Sequence, residues 1–148
     1  MIYTISPLDG RYKERLQHLS AYFSEFALMR ARCQVELLYV KALDETGLFA
    51  ELTSEETQRI EQTLKHFSDE DYQRIKEIES TTRHDVKACE FFLREKVRLE
   101  NNNLIHFGLT SEDVNNLAYN FLLKEYLEHE HLPLLKKFVP WFNPKKIE

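Results

Sequence analysis

Apolar residues return at steps of three and four along most of this chain, and each run is bounded by residue types that start or stop helices. Tyr22, Phe26, Met29, Cys33, Leu37 and Val40 draw one stripe of helical period from Ser20 to Asp44, with Gly47 placed to end it. Thr53 and Glu56 have the spacing of a capping box, in which hydroxyl and carboxylate satisfy each other's backbone amides, ahead of a stripe at Ile60, Leu64 and Phe67. Ser68 with Asp71 opens a short third helix. Thr82, with Asp85 three residues on, predicts the N-cap of a fourth, whose apolar face is Val86, Cys89, Leu93 and Val97 and which the asparagines at 101–103 break. Thr110 and Asp113 repeat the pair before Val114, Leu117, Phe121 and Leu122. Pro133, which has no amide proton, is expected to kink or end that helix. No stretch reads convincingly as a strand. The expectation is an all-α chain, one helical domain over 1–148 with an arm and turn at 1–19, helices over 20–132, and a tail at 133–148 without a clear pattern. The long Ser20–Asp44 helix should pack on the helices that start near Thr82 and Thr110.

Composition narrows the functional classes. A length of 148 residues suits one domain with a real core, and three glycines and four prolines leave no room for a linker-like segment. The formal charge of −5, with basic residues scattered, argues against nucleic acid as a partner, because phosphate backbones reward clustered Lys and Arg. Cys33 and Cys89 fall on apolar stripes, where a thiol behaves as a small core side chain, so a reduced, cytoplasmic setting is expected. There is neither an export signal nor an uninterrupted run of apolar residues of spanning length, so no membrane partner is expected.

The stretch "TTRHDVKACEFFLREK" at 81–96 raises a chemical question. Asp85 has a capping job available, but Arg83 and His84 serve neither cap nor stripe, and a cation gains nothing from the positive end of a helix. Free amides and a cationic side chain converging on a helix start suit a phosphate or carboxylate. The alternative is that both side chains lie in water. A metal phosphohydrolase built on His84 and Asp85 would need further ligands, and His129 and His131, two apart, fall on different sides of a helix. No metal site is expected.

Three stretches, "SPLDGRY" at 6–12, "TTRHDVKACEFFLREK" at 81–96 and "IHFGLTSEDVNNLAYNFLLK" at 105–124, together resemble the N-terminal part of the adenylosuccinate lyases, in the fumarase and aspartase superfamily. They run in order, with similar spacing, over nearly the whole chain. The resemblance implies that Arg11 and Tyr12 hold a nucleotide phosphate, a task that suits the planar fork of arginine. It further implies that Arg83, His84 and Asp85 border the nucleotide, and that Thr110 and Ser111 contact the succinyl part of the substrate. His106 matches a family position near the same pocket, with a buried structural role as the alternative. The implied substrates are small molecules, adenylosuccinate or AMP with fumarate, and the family assembles as a homotetramer without metal or organic cofactor. Its β-elimination needs a base for the carbon-bound proton, an acid for the leaving nitrogen and donors for the carbanion's carboxylate.

The family's "THGQPA"-like run with the acid histidine and its Ser-rich loop with the base are absent here, and the chain stops before the central long-helix bundle. Two classes follow. One is the substrate-binding, catalytically incomplete part of a lyase; the other is a non-catalytic helical interaction module descended from it. Coding sequence downstream of Glu148 that contained both missing motifs would decide for the first.

Overall fold

The computed structural model describes residues 4–49 and 51–139, and every regular element among them is helical. A single turn, α1 (Lys13–Leu16), runs through a 3-10 turn at Gln17–Leu19 into α2 (Ser20–Phe23). Then come α3 (Glu25–Glu45), α4 (Ser54–Lys65), α5 (Asp69–Thr82), α6 (Asp85–Val97) and α7 (Ser111–Tyr126). A π turn at Leu127–His131 carries α7 into α8 (Leu132–Phe138).

The other long helices gather around α3, which packs against α4, α5, α6 and α7. One of its faces puts Met29, Cys33, Leu37 and Val40 against Ile60 of α4, Ile75 of α5 and Cys89, Phe92 and Leu93 of α6. The other puts Ala27, Ala31 and Val35 against Val86 of α6 and Val114, Ala118 and Leu122 of α7. Interaxial distance depends on the side chains at the contact, so alanines at 27, 31 and 118 let α3 and α7 run close. The packing of α3 on α6 and α7 is the one expected. Both cysteines are buried and unbonded, with Cys89 Sγ 3.4 Å from Met29 Sδ, and burial pushes the Cys33 thiol up.

Several boundaries carry the chemistry the sequence suggests. Gly47 adopts a φ of 65° beyond the end of α3, the left-handed conformation that a side chain resists. Thr53 with Glu56 and Ser68 with Asp71 form reciprocal capping boxes.

Others differ, each for a local reason. The helix expected from Ser20 to Asp44 is interrupted at Ser24, whose ψ of 161° is extended and whose hydroxyl accepts from the Ala27 amide at 3.1 Å. A serine side chain offers that amide a partner outside the ladder, so the helix restarts there. The helix opened by Ser68 is 14 residues long and runs through Thr82, so Thr82 is not an N-cap. Arg83, left-handed at φ 52°, closes α5, and His84 caps α6 instead. At the far end, Arg98 in the same left-handed region ends α6 at Val97, ahead of the asparagines, which form a 3-10 turn with Asn102 Oδ1 accepting from the Leu99 amide. Pro133 does not end the helical path, which continues to Phe138. The π turn just before it widens the ladder, and near the start of α8 its missing amide goes unmissed. Leu117 and Phe121 lie on the outside of α7, 54% and 37% exposed, while Ala118 takes the inner face. The arm at 1–19 includes α1 and its 3-10 turn, and the tail from 133 continues α8; the rest of it, from residue 140, lies outside the described residues. No helix described is long and apolar enough to cross a membrane.

Candidate functional site

Only Arg83 and His84 separate α5 from α6, and the sharp turn they make sets the site. The Arg83 amide donates to Glu79 O at 2.7 Å, and its left-handed backbone stores strain of about 1–3 kcal/mol, which persists only where the surroundings dictate it. His84 follows in extended backbone, and its Nδ1 accepts from the Lys87 amide at 3.2 Å. A nitrogen that accepts carries no proton, so the neutral ring must be protonated on Nε2. That Nε2 lies 3.5 Å from Ser111 Oγ, the first residue of α7. The starts of α6 and α7, both singled out in the sequence, therefore lie side by side at this pair.

A buried cation holds them together. Arg32 of α3, 3% exposed, places Nη2 2.7 Å from Asp85 Oδ2 and donates from Nε to Asn115 Oδ1 of α7 at 2.9 Å. Asp85 also accepts from the Val86 amide at 2.8 Å. Partial burial pushes the Asp85 carboxyl up, but the Val86 amide and the Arg32 charge outweigh it and hold the group below the usual carboxylate range. Asp85 is thus not the N3 acid of a capping box; it sits at the first position of α6 and ties that helix to α3.

Beside this turn lies a cleft of about 340 Å³ whose charged walls are Glu25, Glu79, Arg32, Arg83, His84 and Asp85. Lys76 pairs with Glu25 at 2.7 Å and with Glu79 at 2.6 Å, and Arg32 answers Asp85. Arg83 makes no ion pair among the described residues. Its charge balances the surplus carboxylate on Lys76, so these charged groups sum to zero with His84 neutral.

On α7, Thr110 gives both its amide and its hydroxyl to Asp113 Oδ2, each at 2.7 Å, and these bonds hold the Asp113 carboxyl below the usual range. Thr110 is exposed and Ser111 half-buried. His106, in the connection before α7, also has left-handed backbone at φ 66°, and its Nδ1 lies 2.5 Å from Glu36 Oε1 of α3. Arg11 and Tyr12 stand apart. Both are exposed, the guanidinium lies 4.7 Å over the tyrosine ring, and no hydrogen bond or ion pair among the described residues links either to the His84–Ser111 pair. The turn that carries them is ordered by Asp9, which accepts from the Ser6 amide at 2.8 Å.

Arg32, Glu36 and Asn115 were not among the residues singled out in the sequence. Their signal was there: two opposite charges four apart on a helix whose neighbours on both sides are apolar, "ARCQVE" at 31–36. Charges so placed are buried and need partners. Among the described residues no group of three His, Cys, Asp or Glu side chains is arranged to hold a metal ion.

Residues 10–148 match a family model described as lyase. The chain is 41% identical over 143 residues to adenylosuccinate lyase of Haemophilus influenzae and 39% identical over 145 residues to that of Dictyostelium discoideum, in each case covering 91% of this chain and 31% of the relative. It is 38% identical over 152 residues to adenylosuccinate lyase of Buchnera aphidicola, covering 99% of this chain and 33% of the relative. The chain thus spans about a third of the length of these curated relatives.

Proposed function

The chain belongs to the lyase family, within the fumarase and aspartase superfamily, and from that membership we propose that it is the substrate-binding part of an adenylosuccinate lyase of purine nucleotide biosynthesis. The observation that supports this most is the convergence of two helix starts: His84 Nε2–H at the mouth of α6 and the Ser111 hydroxyl at the mouth of α7, 3.5 Å apart. That separation is at the outer limit of a hydrogen bond, and both groups can give their protons to one incoming oxygen instead. Arg83 adds the charge, and the Ser111 amide at the α7 start, which makes no hydrogen bond among the described residues, adds a backbone donor.

In the proposed reaction a base takes the carbon-bound proton, the electron pair left behind becomes the double bond of fumarate, and the carbon–nitrogen bond breaks. The leaving nitrogen takes a proton from an acid. The substrates are adenylosuccinate, which gives AMP, and the succinylcarboxamide imidazole ribotide. Thr110 and Ser111 bind the succinyl carboxylate, and Arg83, His84 and Asp85 border the nucleotide, with Asp85 acting through its tie to Arg32. Arg11 and Tyr12 take the phosphate; that role rests on the resemblance of "DGRY" alone. Donors already fixed by helix caps do not have to reorganise as charge develops on a carboxylate, which is the main electrostatic contribution a binding part can make. Proton transfer falls to residues outside these 148, supplied within a cytoplasmic homotetramer.

The test is kcat/KM alongside thermal melting for His84→Ala and Ser111→Ala in the full-length lyase that carries this sequence. Turnover should fall at least about tenfold, the equivalent of roughly 1.4 kcal/mol of lost transition-state stabilisation. Unchanged turnover, or activity lost only in step with folded protein, would return both residues to a purely structural role.

A further inference from the structure

Glu36 is fully buried on α3; burial pushes its carboxyl above the usual range and His106 acts against that, so as a carboxylate it needs compensation. Its Oε1 meets His106 Nδ1 at 2.5 Å, while Oε2 has no hydrogen-bond partner among the described residues. The charges around it come from three directions. Arg32, one turn earlier on α3, is committed to Asp85 and Asn115. Glu90 of α6, 1% exposed, repels Glu36 but is itself answered by Lys87 and Arg94, each at 2.7 Å. Asp113 of α7 is nearby but is itself answered by the Thr110 amide and hydroxyl. Glu36 is thus left with His106 alone, on a backbone twisted to φ 66°, four residues before the Thr110–Ser111 helix mouth.

We propose that Glu36 is a positioning residue, whose carboxylate holds His106 with its proton on Nδ1 and leaves Nε2 as an open acceptor for a substrate N–H or O–H beside the start of α7. This rests on the lyase reading for the substrate. A carboxylate can only accept, so it dictates which ring nitrogen is protonated, and the second nitrogen is then a lone pair. Nε2 of His106 makes no hydrogen bond among the described residues. His84 is fixed in the opposite sense, with Nδ1 accepting and the proton on Nε2. The two histidines near the α7 start therefore offer one donor and one acceptor.

Nitrogen-15 imidazole spectra of the full-length lyase that carries this sequence, labelled at histidine and recorded above the ordinary histidine titration range, read both rings in one experiment. His84 should be protonated on Nε2 and His106 on Nδ1. Glu36→Gln, whose amide can donate as well as accept, should leave His84 unchanged and turn His106 into a mixture of tautomers. On titration with adenylosuccinate to saturation, the Nε2 resonance of His106 should move in the native chain. A native His106 protonated on Nε2 overturns the proposal even if the variant fails to fold. If adenylosuccinate moves His84 but not His106, the proposal falls and the lyase reading stands. If it moves neither, the lyase reading falls and takes the proposal with it.

Discussion

Replacing Asp85 with alanine should destabilise the protein mainly through what it leaves behind. The Arg32 side chain is 4% exposed and keeps only the Asn115 carbonyl and a 3.6 Å contact from Nη1 to Met29 Sδ once Asp85 is gone. Breaking a buried ion pair from one side costs about 3–5 kcal/mol when the orphaned charge stays dry. Asp85, however, is 44% exposed, so water can enter its place and the loss should be roughly half, about 2 kcal/mol. Losing an anion at the first position of α6 adds about 0.5 kcal/mol. For a chain of this size, some 2–4 °C per kcal/mol, the melting temperature should drop by roughly 5–10 °C. Arg32→Met carried together with Asp85→Ala should recover part of that loss, because no unpaired charge remains and methionine fills the same apolar path. Thermal melts by circular dichroism on the two single variants and the double variant close the cycle. If the double variant loses the sum of the single losses, the pair is uncoupled and the account of how α3 holds α6 is wrong.

Acid should erase the Asp85 contribution. Its folded carboxyl sits below the ordinary value of about 3.9, so the stabilisation is present above that pH and is lost as pH falls through the folded value. The melting gap between the native chain and Asp85→Asn should therefore be widest near neutrality and close in strong acid; a gap that widened on acidification would contradict the assigned ion pair. Thr110→Ala should cost about 1 kcal/mol, read as a denaturant midpoint shift at constant slope, since it removes the hydroxyl partner of Asp113 at the α7 start. The 148-residue chain mixed with adenylosuccinate should release no fumarate above background, followed by ultraviolet absorbance; release that tracks purified protein and vanishes in His84→Ala would show that proton transfer needs nothing beyond these residues.

Helix type, helix order and four of the helix ends could be read from the sequence, because they depend on residues within one or two turns of one another: Thr53 with Glu56, Ser68 with Asp71, Thr110 with Asp113, Gly47 past α3. The lyase likeness was legible for a related reason, since "TTRHDV" and "GLTSEDVNN" keep their chemistry in contiguous runs. Where two helices meet with almost nothing between them, local rules compete. Thr82 had the right residue type for an N-cap, yet packing of α5 on α6 kept it helical and passed the cap to His84. Burial on α7 could not be read from apolarity alone, because the partner face on α3 is made of alanines and accepts Ala118 more closely than Leu117. Only the tertiary structure brought Arg32 to Asp85 and Asn115, His84 to Ser111, and Glu36 to His106, across separations of 27 to 83 residues. Such pairs are selected by the free energy of burying charge, which takes a definite value only when helices from distant parts of the chain have closed around it.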